Sequence, residues 1–268
     1  MNLLKKSVLV ALYSILFLVT ALTYIFEMWG PFYGSVTNIL YLSSTFLAFA
    51  SGAYLTSTYG LRNISGKAFL FITLGLLFWF IGEFSWIYYE LYLSISPFAS
   101  LPDIFILTGF PLIAGGFLIY TKKVQIKLNR NKKIFLFVFS SLLAIAIIYI
   151  LIKFEVKPEM ENAEKIVNIL RAIGHSWLLI SGIIALLIAK EYQGGQLSLP
   201  WKIFIIAIIA NFAGDIIQGS HPHLYEEEVP LIYISADLLW ILAYLLFSTS
   251  LFFIAFSVKE AQDKITGK

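Results

Sequence analysis

Residues 68–93 read AFLFITLGLLFWFIGEFSWIYYELYL, an apolar run broken by only two charges, Glu83 and Glu90. A helix needs about 20 apolar residues to cross the hydrocarbon layer of a bilayer, where only helices or closed barrels satisfy every backbone polar group. The run is continuous rather than alternating, so it reads as a helix and not as a barrel strand. Working outward, the same reading places further spans at 7–29, 34–59, 101–120, 134–154, 166–189, 203–219 and 231–257, which makes eight. Breakers fall between them, among them Gly30-Pro31, Gly60, Ser96-Pro97, Gly194-Gly195 and Pro222. Such short linkers join antiparallel neighbours and leave no room for a second domain.

Composition supports the same class. The chain is 59% hydrophobic and 13% charged, with a mean hydropathy of +0.85, which excludes a water-soluble core as the main architecture. Its 24 Phe and 15 Tyr suit lipid-facing surface and interfacial belts. There is no cysteine, so disulfides, thiolate metal sites and thiol catalysis are excluded. The run from Ser7 to about Trp29 is longer than the core of a secretory signal and is read as a retained first span, a cleaved leader being the alternative. Eleven residues follow Ser257, and any cytoplasmic output is expected from another polypeptide.

Cytoplasmic loops retain Lys and Arg. With eight spans, the N-terminus, the loops after spans two, four and six, and the C-terminal tail share one side, which carries fifteen of the 19 basic residues. They include Lys5, Lys6, Arg62, Lys67, the cluster from Lys122 to Lys133, Lys190, Lys202, Lys259, Lys264 and Lys268. The opposite loops are acidic, with Glu155, Glu159, Glu161, Glu164 and Glu226 to Glu228. A cell-membrane protein with both termini in the cytoplasm is therefore expected.

An internal repeat is also legible. An offset of 130 residues aligns Asn38-Ile39-Leu40 with Asn168-Ile169-Leu170 and Ser51-Gly52 with Ser181-Gly182. At 132, Gly82-Glu83 meets Gly214-Asp215, and at 134 Asp103 meets Asp237. The order and slow drift of these matches point to a four-plus-four duplication, residues 1–130 and 131–268. Four spans per unit is even, so the halves share one orientation about an axis along the membrane normal.

A charge at membrane depth costs several kcal/mol on insertion scales, roughly 2.5–3.5 per residue, so ionisable residues there face the bundle interior or water. Trp79, Glu83, Trp86 and Glu90 recur at steps of four, three and four along one helical face. Span eight has Tyr233, Asp237, Trp240 and Tyr244; span seven Asn211, Asp215 and Gln218; span six Asn168, Arg171 and His175; and span four opens near Asp103. Topology puts all of them in the outer half, and the reading gathers Glu83, Trp86, Asp103, Arg171, His175, Asp215, Asp237 and Trp240 around one outward cavity. The competing reading is that these carboxylates only tie helices together. Four carboxylates facing one arginine cannot all be neutralised by pairing, however, which favours a cavity that binds something.

His175, His221 and His223 are the only histidines and are the metal candidates, although His221-Pro222-His223 lacks the spacing of a helical zinc motif. No nucleophile elbow, HExxH or phosphate loop occurs, and the sequence points to no particular cofactor. The basic loop is read as a headgroup anchor, with a docked protein as the alternative. The expected partners are the lipid bilayer, a cytoplasmic or membrane signalling protein, and further copies of the chain; nucleic acid is not among them.

Ile81-Gly82-Glu83 through Trp86, with Ser96-Pro97 and Ser100-Leu101-Pro102-Asp103-Ile104-Phe105-Ile106-Leu107-Thr108-Gly109-Phe110-Pro111, resembles a pattern in multi-span sensor regions. Those regions precede diguanylate cyclase or histidine kinase domains in bacteria and also occur in archaea. Gly214-Asp215 and Asp237-Leu238-Leu239-Trp240-Ile241-Leu242-Ala243-Tyr244 resemble their late segment, so the likeness spans four of the eight helices. Glu83 stands where that pattern has aspartate, and no output domain follows. The resemblance implies an input module for a stimulus. The expected function is thus a sensor-like or ligand- and ion-binding module and not an enzyme; an ion- or proton-coupled transporter or channel is the first alternative and an intramembrane enzyme on lipid or isoprenoid substrates the second.

Overall fold

Each apolar run folds as a single helix, because within a bilayer only intrahelical bonds satisfy its backbone. The computed structural model describes residues 2–95, 99–124, 129–191, 195, 197–220 and 230–266. Among them are eight long helices and no strand: α1 (Asn2–Ile25), α2 (Tyr33–Tyr59), α3 (Ile64–Tyr88), α4 (Leu101–Val124), α5 (Arg130–Glu155), α6 (Asn162–Glu191), α7 (Ser198–Ser220) and α8 (Pro230–Thr266). All eight are long and apolar enough to cross a membrane. The fold is an all-α multi-pass bundle.

Two boundaries differ from the hydropathy reading for identifiable reasons. Asn63 caps α3, its Oδ1 accepting from the Gly66 N–H at 2.7 Å, so the helix starts at Ile64 within a polar stretch. At the other extreme α8 runs on past Ser257 to Thr266 as a polar helix, with Glu260 and Lys264 paired at 3.1 Å one turn apart. The last turn of α3 widens into a π-helix over Tyr89–Leu93.

The bundle is assembled from neighbouring pairs. α3 packs on α4 and α7 on α8; α2 packs on α3 and α6 on α7; across the middle α2 meets α8 and α4 meets α6. α1 and α5 lie outermost, and α5 in particular shows Phe135, Phe137, Leu142, Ile145 and Tyr149 on the surface. α8 is the most enclosed, with Ala236, Ile241, Ala243, Phe247, Leu251 and Ile254 fully buried. One end of the bundle carries Lys5, Lys6, Arg62, Lys67, Lys122, Arg130, Lys132, Lys190, Lys202, Lys259 and Lys264 and is called the basic end below.

Without water there is no hydrophobic drive between helices in lipid, so close packing and interhelical hydrogen bonds must hold them. Tyr13 and Ser248 share a hydrogen bond of 2.7 Å, and Ser248 Oγ donates to the Leu47 carbonyl at 3.0 Å, joining α1, α8 and α2. Thr56 and Thr73 bond at 2.9 Å between α2 and α3, while Ser250 Oγ donates to the Pro200 carbonyl at 2.8 Å between α8 and α7.

The tightest seam lies between α3 and α4. A Cβ on Gly75 would stand 2.5 Å from Ile113 Cγ1 and 2.8 Å from the Gly109 carbonyl, and one on Gly116 2.5 Å from Ile72 Cγ1 and 2.7 Å from the Ala68 carbonyl. Backbone faces backbone there, and a methyl group has nowhere to go. Gly115, beside this seam, has only Phe71 at 3.6 Å. Gly75→Ala and Gly116→Ala should therefore each destabilise the detergent-solubilised protein by about 1–3 kcal/mol, while Gly115→Ala stays within about 0.5 kcal/mol; thermal unfolding of the three variants checks this.

Candidate functional site

Away from the basic end, seven of the eight helices converge on one cavity of about 170 Å³. α3 supplies Trp79, Glu83, Trp86 and, from the π-turn, Glu90; α6 supplies Arg171 and His175; α7 supplies Asn211, Asp215 and Gln218; and α8 supplies Asp237, Trp240 and Tyr244. Tyr24 of α1, Asn38 and Tyr41 of α2, and Ile106 and Phe110 of α4 complete the wall. The steps of three and four seen in sequence are what keep each set on one helical face.

The carboxylates are held mainly by neutral donors, those of Glu83, Asp215 and Asp237 coming from other helices. Glu83 Oε1 accepts from the hydroxyls of Tyr41 at 3.1 Å and Tyr244 at 3.0 Å, which links α2, α3 and α8. The two phenol rings meet edge to face at 6.1 Å. Asp237 Oδ2 accepts from Tyr24 at 3.0 Å, linking α8 to α1. Asp215 Oδ1 accepts from Trp240 Nε1 at 3.2 Å, and its Oδ2 lies 3.2 Å from His175 Nε2, joining α7, α8 and α6. Glu90 accepts from Trp86 Nε1 at 2.8 Å.

Asp103 is different. It is buried, it is not among the residues lining the cavity, and it holds Arg171 through a 2.5 Å contact from the guanidinium to Oδ1. The Ser100 N–H reaches its second oxygen at 3.2 Å. Arg171 also lies 5.7 Å from the centre of the Trp86 ring, a cation–π distance. Its charge is thus answered from behind the wall, and Glu83, Asp215 and Asp237 face the cavity without a lysine or second arginine among its lining residues.

Of the residues singled out from sequence, Glu83, Trp86, Arg171, His175, Asp215, Asp237 and Trp240 line this cavity, and Asp103 stands one layer behind. Asn168 lies elsewhere, 3.7 Å from the Met160 sulfur. His175 is buried between Phe110, whose ring is 4.9 Å away edge to face, and Phe212 at 5.9 Å. Its Nδ1 has no hydrogen-bond partner among the described residues. His221, His223 and Tyr225, together with the Tyr233 side chain, fall outside the described residues. Among those described, no group of three His, Asp or Glu is disposed to hold a metal ion. Tyr24 and Tyr41 were not anticipated: a tyrosine in an apolar run carries no local mark of whether its hydroxyl meets a carboxylate or the headgroups.

Beneath the cavity the bundle is filled with rings. Trp79 contacts Phe247 at 6.1 Å, Phe247 contacts Phe204 at 4.8 Å, Phe204 contacts Phe117 at 5.1 Å, and Phe117 contacts Trp201 at 5.6 Å. Tyr120 and Phe69 continue the ladder to the basic end. These six residues from Phe247 onward are the largest fully buried side chains described.

In comparison with known proteins, the chain matches no family model, no curated protein and no solved structure. The likeness to sensor regions therefore rests on the quoted motif residues.

Breaking a buried ion pair by removing one partner strands the other charge and costs about 3–5 kcal/mol. Because the Arg171 side chain keeps 17% exposure against 1% for Asp103, Asp103→Asn should lose about 3 kcal/mol, the low end of that range. Arg171→Gln combined with Asp103→Asn should recover part of the loss. Unfolding in detergent measures both, and a double variant no better than the single one would show that the pair is not the cause.

Proposed function

We propose that this chain is a membrane-embedded, sensor-like binding module whose cavity receives a small ligand or ion from outside the cell. The observation that carries the reading is the convergence of Glu83, Asp215 and Asp237, from three helices, on one hollow in which the single arginine is already bound to Asp103. Such an arrangement costs folding energy in a bilayer. A merely structural role would be served as well by the tyrosine and tryptophan contacts alone.

The positive-inside bias favours a cytoplasmic basic end and an outward cavity mouth. Two four-helix halves fit this reading. The α3–α4 and α7–α8 pairs, α2–α3 and α6–α7, and α2–α8 and α4–α6 correspond as a rotation about the membrane normal would require. The cavity then lies between the halves, with Glu83 from one and Asp215 and Asp237 from the other. A ligand that bridges them biases how the halves pack, and a signalling partner in the membrane or cytoplasm reads the change. The likeness to multi-span sensor regions supports the same role. The aromatic ladder under the cavity speaks for binding over conduction, since a permeation route needs polar lining on the far side.

Two measurements test it. The chain has no cysteine, so a single Lys264→Cys should be labelled by a membrane-impermeant maleimide only after cells are opened, and a single Glu159→Cys in intact cells. For binding, the purified protein is screened by thermal unfolding against panels of amines, sugars, carboxylates and metal ions. At least one panel should stabilise it saturably, and Glu83→Gln combined with Asp237→Asn should remove that response. A wild-type protein indifferent to all four panels would defeat the reading.

A further inference from the structure

We infer that the cavity is built for a small organic ammonium ion, a conclusion that rests on the binding reading above and specifies its ligand. The geometry of the carboxylates carries it. Both hydroxyls that serve Glu83 fall on Oε1, and the one that serves Asp237 falls on Oδ2. Glu83 Oε2 and Asp237 Oδ1 receive no donor among the described residues, although each carboxylate lines the cavity. An ionised carboxylate accepts through two oxygens and about four lone-pair sites, so each presents unused acceptor capacity to whatever occupies the hollow.

A second, independent feature points the same way. Asn211 is only 6% exposed, lines the cavity, and its side-chain amide has no hydrogen-bond partner among the described residues. The amide opens onto the hollow, where its carbonyl oxygen can accept from a ligand N–H. Glu83 and Asp237 thus present unused carboxylate oxygens to the hollow.

Three alternatives fit less well. An anion would meet the carboxylates without gaining Arg171, which Asp103 already holds. A bare divalent ion needs convergent oxygens, whereas the carboxylates come one per helix and no three-residue group is placed to ligate a metal among the described residues. A neutral sugar would bring as many donors as acceptors and leave the charge unanswered. An organic cation matches both the acceptors and the rings of Trp79, Trp86 and Trp240 that share the wall. Aromatic faces attract cations within about 6 Å, and this wall already carries one, Arg171 over Trp86 at 5.7 Å. The volume of about 170 Å³ is close to that of engineered cavities of about 150 Å³ that admit benzene, so the ligand body is about the size of one six-membered ring.

The test is a shape-matched series on the full chain in detergent: cyclohexylammonium, cyclohexanol and cyclohexanecarboxylate, with tetramethylammonium, sodium and calcium chlorides beside them. Thermal unfolding and intrinsic tryptophan fluorescence are read together, since three of the six tryptophans line the cavity. Cyclohexylammonium should raise the unfolding temperature saturably and shift the emission, and cyclohexanol at the same concentration should do neither. Glu83→Gln should weaken the ammonium by about ten- to hundredfold, the range for a charged hydrogen bond. Glu260→Gln, at the far end of α8, should leave affinity unchanged. The wild-type comparison needs no variant to fold. An equal response to cyclohexanol, or no response to either ammonium ion, overturns the proposal. If sodium, calcium or the carboxylate binds instead, the ammonium assignment falls while the binding reading stands.

Discussion

A carboxylate carried to membrane depth must find donors, and this bundle is organised around how it finds them. Glu83 draws donors from α2 and α8, Asp215 one from α8 and Asp237 one from α1, so three acidic side chains tie α1, α2, α3, α7 and α8 together. The donors that hydrogen-bond these three acids are phenols and an indole. Such donors bond a carboxylate without supplying a counter-charge. Asp103 meets the full positive charge of Arg171, and it does so from outside the cavity lining. One device thus holds the helices together and sets the character of the space between them.

The remainder of the packing isolates that space. Tyr244 and Trp79 meet at its floor, edge to face at 6.1 Å, and below them the rings from Phe247 to Phe69 are fully buried. Glycines remove slack in both pairs: a Cβ on Gly82 would stand 2.7 Å from Ile106 Cγ1 between α3 and α4, and one on Gly214 2.7 Å from Trp240 Nε1 between α7 and α8. Both glycines precede a cavity acid, Glu83 and Asp215. Close backbone approach thus sets where those two carboxylates sit.

The spans were legible because the bilayer imposes their length and apolar content, and few residue patterns meet both. Boundaries were less so wherever a local interaction overrode hydropathy. Asn63 starts α3 inside a polar stretch, and α8 continues through Lys259 to Lys264, where Glu260 and Lys264 pair one turn apart. The acids of the site stood out because buried charge is costly and therefore rare. Tyr24 and Tyr41 did not, since fifteen tyrosines share one appearance in sequence. Nor did helical spacing separate Asp103, the counter-ion of Arg171, from the acids that face the cavity, because period alone orders residues on a face without saying which neighbour that face meets.

α8 carries Asp237 in its third turn and Tyr244 in its fifth and reaches Thr266 without interruption. Thirty-seven residues make a rod about 55 Å long, against a hydrocarbon layer of about 30 Å. Tilting a rod of that length a few degrees about its midpoint would carry its far tip, in the polar turns beyond Ser257, on the order of 2 Å.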